Sequence, residues 1–181
     1  FIFEASPDDV ATITMLERYR EVNNVSPVFE INIREDLPHF VHDEGTRQWT
    51  LSKYENMVSL RNSLLKRARE IKPDYYYSLD SDVLLTNNNT INSLIGHIQS
   101  GADAVNSLMF MTPSTTMYPS VMTWSEDIPD KGYRKQEYPL GTYFQSDIIM
   151  AAKMMSKDVY NNVDYKIHPQ GEDLGWCDND K

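Results

Sequence analysis

The sequence predicts an α/β fold, a mostly parallel sheet with helices on both faces. Short apolar runs alternate with helix-period stretches in the order strand, helix, strand, helix, strand. Such an order needs crossover connections, which make successive strands parallel. At 181 residues the chain is long enough for one domain with a real core, and 40% hydrophobic residues with 11% aromatic argue against disorder. The expected organisation is a single domain over 1–181.

Each element has its own signal. Phe1-Ile2-Phe3-Glu4-Ala5 reads as a short buried strand, and Ser6-Pro7-Asp8-Asp9 as a helix start with Ser or Asp as cap. Ile13, Leu16 and Tyr19 fall near helical spacing, which carries that helix to about Asn23. Val28 to Ile33 alternates like a half-buried strand, and Arg34 to Thr50, with Pro38 and Gly45, reads as loop. From Lys53 to Ile71 the pattern is helical, with Met57, Leu60, Leu64, Leu65, Ala68 and Ile71 on one face until Pro73-Asp74 ends it. Tyr75 to Leu85 is the next strand-like run. Asn88 or Asn89 then caps a helix through Ile91, Leu94, Ile95 and Ile98 that stops at Ser100-Gly101, before a strand from Ala102 to Met111. Thr112 to Tyr138 shows little periodicity and reads as a long surface segment that carries recognition. Tyr143 to Met155 is apolar again and reads as strand then helix, with Met150, Met154 and Met155 as core filler.

The most informative stretch is Leu79-Asp80-Ser81-Asp82. If the strand continues through it, Asp80 and Asp82 share one face while Ser81 points to the other, so two hard oxygen donors converge at the strand end. Such a pair suits Mg²⁺ or Mn²⁺, which binds through one or two carboxylates plus substrate phosphate oxygens. Carboxyl ends of strands are also where open α/β sheets bind ligands. A lone Asp-x-Asp triplet, however, more often marks a solvated turn in an acidic protein.

Composition narrows the partners. A net charge of −10 disfavours nucleic acid and anionic lipid, although Lys66-Arg67-Ala68-Arg69 and Lys131 to Lys135 are local basic patches, read as solvated faces. Cys177 is the only cysteine, so neither an internal disulfide nor a cysteine-rich zinc site is available. No run approaches the roughly 18–20 apolar residues of a membrane span, and a soluble, cytoplasmic setting is favoured. Asn88-Asn89-Thr90 is a formal glycosylation sequon in a polar run. His39, His42 and His97 have no metal-ligand spacing.

Ser59-Leu60-Arg61-Asn62-Ser63-Leu64-Leu65, Leu79-Asp80-Ser81-Asp82 and Gly171-Glu172-Asp173 together resemble nucleotide-sugar glycosyltransferases of the GT-A (Rossmann-like) fold. The likeness is to the Anp-type mannosyltransferase branch and the broad family 2. It implies that Asp80 and Asp82 hold Mn²⁺ or Mg²⁺ against the diphosphate of a UDP- or GDP-sugar, with His168 as a further ligand or diphosphate contact. It implies Arg61, Asn62, Asp80 and Ser81 on the donor side. Asp173 is then the base for the attacking hydroxyl in an inverting reaction, with Glu172 and Trp176 toward the acceptor. The plain alternatives are a helix start at Gly171-Glu172-Asp173, a polar helix face at Arg61-Asn62, and ordinary packing for Trp124, Tyr118 and Tyr143. Phe1–Ala5 looks like the second strand of that fold, so its first β-α unit, with the base contacts, is expected before Phe1. The competing functions are a nucleotidyltransferase acting on a sugar phosphate and a non-catalytic metal- or carbohydrate-binding domain.

Overall fold

The computed structural model describes residues 1–23, 29–36, 50–81, 83–107, 109–110, 117–118, 121–124, 133–135, 143–168 and 171–177. They form two compact units, Phe1–Leu64 and Leu65–Lys181. The class is α/β, as expected.

In the first unit, β1 (Ile2–Ala5) pairs parallel with β2 (Glu30–Ile33), Ile2 opposite Glu30 and Ala5 opposite Ile33. Parallel neighbours need a crossover, and α1 (Val10–Asn23) supplies it. The helix starts where the sequence signals it: the Asp9 carboxylate accepts the Thr12 N–H at 3.2 Å. Phe29 is buried beneath the rings of Phe1, Phe3 and Tyr19, at centroid distances of 6.3, 5.3 and 6.1 Å. This aromatic cluster, with Leu16 and Ala5, is the apolar core of the unit.

The second unit contains the end of α2 (Leu51–Ile71), then β3 (Tyr75–Ser78), α3 (Thr90–Gln99) and β4 (Ala104–Asn106). Asn89 is the N-cap of α3, one of the two expected, but its side chain makes no capping hydrogen bond; instead the Asn87 carboxamide oxygen accepts the Asn89 N–H at 2.8 Å and the Asn87 carbonyl accepts the Thr90 hydroxyl at 2.8 Å. The short strands β5 (Met109–Phe110), β6 (Met117–Tyr118), β7 (Val121–Trp124), β8 (Tyr133–Lys135) and β9 (Ile148–Ile149) follow. Last come β10 (Lys153–Ser156), α4 (Lys157–Asn162) and α5 (Glu172–Cys177).

The expected mostly parallel sheet is corrected here. Among the described strands β1–β2 is the parallel pair, whereas β3–β10, β10–β4, β5–β6, β7–β8 and β7–β9 are antiparallel. β3 and β4 do run in the same direction with α3 between them, as the crossover argument requires, but they are not neighbours. β10 sits between them in the order β3-β10-β4. The expected strand-then-helix over Tyr143–Met155 is two strands, and the helix begins only at Lys157, where the Ser156 hydroxyl caps it by accepting the Val159 N–H at 3.4 Å. The stretch Thr112–Tyr138, read as aperiodic, contains β6, β7 and β8; its remaining residues lie outside those described.

Two ties hold α4 down. Arg69, expected in a solvated basic patch, donates to the carbonyls of Tyr160 at 2.8 Å and Val163 at 3.0 Å and pairs with Asp164 at 2.8 Å, satisfying the open C-terminus of α4. Tyr160, fully buried, donates its hydroxyl to the Pro73 carbonyl at 2.5 Å. Pro73 follows Lys72, which takes φ +57° to end α2.

A left-handed residue with a Cβ costs about 1–2 kcal/mol, so Lys72→Gly should raise stability by about 1 kcal/mol, read as a higher urea midpoint at unchanged slope. Burial, with Asp74 adding to it, pushes the Tyr160 hydroxyl above its ordinary value of 10.0. Unfolded tyrosine ionises near that value while folded Tyr160 keeps its proton, so this contribution is intact at neutral pH and is lost as pH climbs past 10. The alkaline fall in stability should be shallower in Tyr160→Phe than in the parent chain.

Candidate functional site

The chemistry of the second unit gathers at the carboxyl ends of β3 and β4. Because β10 is antiparallel to both, its first residue meets their last: Lys153 lies opposite Ser78 on one side and Asn106 on the other. Lys153 is fully buried, which is rare for lysine and sustainable only when the charge is matched. Its ammonium donates to Asp173 Oδ1, and its Nζ lies 3.4 Å from the Ile149 carbonyl. The rings of Tyr165 and Trp176 stand 4.9 and 4.7 Å from the same nitrogen, placing the cation against two negative π faces.

Asp173 comes from α5, whose position is set by two glycines. Gly171 takes φ +130°, a conformation closed to other residues, and its N–H bonds the His168 carbonyl at 3.0 Å. Gly175 packs so tightly on the preceding chain that a Cβ there would lie 1.9 Å from the Lys166 carbonyl oxygen. The helix therefore packs directly against the Lys166 backbone, and Glu172 and Trp176 are both buried. Asp173 keeps its side chain 14% exposed.

The strand ends at Ser78, so Asp80 does not sit on a pleated edge as expected. It begins a turn closed by the Val83 N–H to the Asp80 carbonyl at 3.1 Å. Asp80 is half-buried, Ser81 is exposed, and Asp82 lies outside the described residues. His168 is half-buried in the turn before α5. Among the described residues no three His, Cys, Asp or Glu side chains converge as a metal cage. A two-carboxylate donor set completed by phosphate and water is nonetheless the chemistry Mg²⁺ or Mn²⁺ accepts, and Asp80, partly sheltered at a strand end, fits that role. The strand end that releases Asp80 is thus the one Lys153 ties to Asp173. Arg61 and Asn62 lie on α2 in the first unit, Arg61 buried and Asn62 half-buried. His39 and His42 lie outside the described residues, as do the side chains of Tyr118 and Trp124. Tyr143 is exposed, with the His97 ring 4.1 Å away.

A polar network in the first unit was missed by sequence reasoning. Glu4, its side chain 4% exposed, accepts from Asn32 Nδ2 at 3.2 Å, Ser63 Oγ at 3.1 Å and Arg34 Nη1 at 3.2 Å. Arg34 also donates to both oxygens of Asp36 at 2.7 Å and to Ser59 Oγ at 3.0 Å. Donating to the Asp36 carboxylate, then to Glu4, holds the guanidinium above its ordinary pKa, and Arg34 in turn holds the Asp36 carboxyl below the usual range. An acid inside the apolar run Phe1–Ala5 was the available signal, as was a lysine heading the apolar run at Lys153.

Because a Cβ at residue 175 meets backbone rather than a movable side chain, Gly175→Ala should destabilise the chain by about 3 kcal/mol or more. Urea unfolding measures this directly, and an unchanged midpoint would refute the close docking of α5.

The model for the domain described as glycosyltransferase family 25, N-terminal domain, matches residues 4–136. Procollagen galactosyltransferase 1-A of Xenopus laevis is 46% identical over 56 residues, 31% of this chain and 9% of that protein. Procollagen galactosyltransferase 1 of Danio rerio is 30% identical over 83 residues, 46% of this chain and 14% of its own length. Inactive glycosyltransferase 25 family member 3 of Homo sapiens is 36% identical over 63 residues, 34% of this chain and 11% of its own. The chain therefore matches only a small part of the length of these relatives. No solved structure matches it. The resemblance to glycosyltransferases stands, with the branch corrected from Anp-type or family 2. Through a domain match that takes in both Glu4 and Asp80, the chain belongs to glycosyltransferase family 25.

Proposed function

We propose that this chain carries the donor-binding end of a metal-dependent glycosyltransferase, which moves galactose from a nucleotide-diphosphate sugar to a hydroxyl of a procollagen-like acceptor. The observation that carries this reading is the family 25 match over residues 4–136, which includes the Asp80 turn at the carboxyl end of β3. Sugar and acceptor are taken from the printed names of the relatives. Family membership favours glycosyl transfer over the nucleotidyltransferase alternative.

In this reading Asp80 and Asp82 would hold Mn²⁺ or Mg²⁺, with His168 as a further ligand or a diphosphate contact. The ion supplies positive charge against the negative charge that develops on the departing diphosphate. Asp173 takes the proton of the acceptor hydroxyl as its oxygen forms the new bond to the anomeric carbon. The bond from that carbon to the diphosphate breaks, and the diphosphate leaves with the electron pair. Glu172 orients the acceptor beside Asp173. Ser81 serves the donor, and Trp176 acts from behind through its contact with Lys153. A second reading, binding without turnover, is favoured by the 36% identity to a relative named as inactive.

The test is a calorimetric panel of UDP, GDP, UDP-galactose and GDP-mannose, each with and without Mn²⁺, repeated on Asp82→Ala. The expected result is Mn²⁺-dependent affinity for the UDP ligands, reduced at least about tenfold by the substitution. Affinity with no released UDP in the presence of procollagen would favour the second reading, and no binding of any nucleotide, by this chain or by one extended before Phe1, would overturn both.

A further inference from the structure

We propose that Lys153 is a positioning residue for glycosyl transfer: its buried ammonium fixes the Asp173 carboxylate relative to the Asp80 turn. The inference rests on the reading of Asp173 as the base.

The geometry gives Lys153 a bridging place. Its backbone is clamped between Ser78 and Asn106, the last residues of β3 and β4, so it is anchored in the strand end from which Asp80 departs. Its Nζ reaches Asp173 Oδ1 on α5. One side chain therefore links the element carrying the proposed metal ligand to the element carrying the proposed base. α5 is only six residues long and cannot fix its own orientation by length.

The surroundings make the link stiff. Lys153 is fully buried, and Tyr165 and Trp176, themselves buried and with ring centroids 6.2 Å apart, flank the ammonium. A lysine used only as core filler has no need of a cation, since methionine packs the same volume, and the next two residues of β10 are Met154 and Met155. The charge at 153 is the departure from that pattern. In this role Lys153 does not touch substrate. Its role is to keep one carboxylate oxygen engaged so that the carboxylate faces the incoming hydroxyl in one orientation, and a misplacement near 1 Å costs on the order of 10²-fold in rate.

The experiment compares the full chain with Lys153→Met, Lys153→Arg and Asp173→Asn, following UDP release from UDP-galactose with procollagen as acceptor. UDP-galactose affinity is measured separately by calorimetry. Lys153→Met should lower kcat about 10²-fold while donor affinity and the KM for donor stay within about threefold, below the effect of losing one contact. Lys153→Arg, which keeps a cation and fork donors, should recover at least tenfold of that loss. If Lys153→Met does not fold, the arginine variant decides: kcat no higher than that of Asp173→Asn overturns the inference. A folded Lys153→Met with unchanged kcat overturns it while Asp173→Asn still abolishes turnover, leaving the base assignment intact. Full activity in Asp173→Asn overturns the base assignment and this inference together, and absence of turnover in the parent chain overturns the transferase reading beneath both.

Discussion

The second unit depends on one buried ion pair, Lys153 with Asp173. Taking an ammonium out of water costs several kcal/mol unless a counter-charge and good geometry compensate. Here the counter-charge comes from the six-residue helix α5. The low-dielectric walls of Tyr165 and Trp176 strengthen the attraction, and the same walls make loss of either partner costly. Around this pair Met154 and Met155 fill the core of the central strand, and Gly175 lets α5 approach the chain closely enough for Asp173 to reach.

The first unit solves a related problem with the opposite sign. Glu4 is buried at the end of β1 and is satisfied by three donors from β2, from the residue that follows it, and from α2. A buried carboxylate held by neutral and cationic donors at once has little freedom to reorient, so the parallel strand ends and the helix face bearing Ser59 and Ser63 are locked in register. Both units thus place a fixed charge at the carboxyl end of a strand, where α/β proteins bind ligands.

Much of the secondary structure was legible. α1, α2 and α3 lie within two residues of the expected limits because caps and stops are local: Asp9, the Lys72-Pro73 break and Gly101 all act through neighbouring residues. What was hidden is non-local. Nothing in Lys153-Met154-Met155-Ser156 says that it inserts between two strands whose own sequences lie about 50 and 75 residues earlier, and that insertion turns the parallel sheet into a mixed one. The Asp80 region was misjudged for a related reason: apolar character continues to Leu85, but the partner strand ends at Lys153, opposite Ser78, and pairing stops there. Arg69 looked like surface charge because its partners, the carbonyls of α4, lie about 90 residues away. Motif resemblance draws attention to Asp173 but not to its partner Lys153, which belongs to no motif.

The position of β10 also separates the family-defining stretch from the structure it needs. Residues 4–136 contain β3 and β4, but the strand that joins them begins at 153. A chain cut where the family match ends would carry the Asp80 turn on a strand with an open edge, its N–H and C=O groups unmatched and available to pair with another molecule. The sheet closes only when a segment about 50 to 75 residues downstream inserts between the two earlier strands, a high-contact-order step. The turn bearing Asp80 and the helix bearing Asp173 are therefore linked, through Lys153, only once β10 has paired.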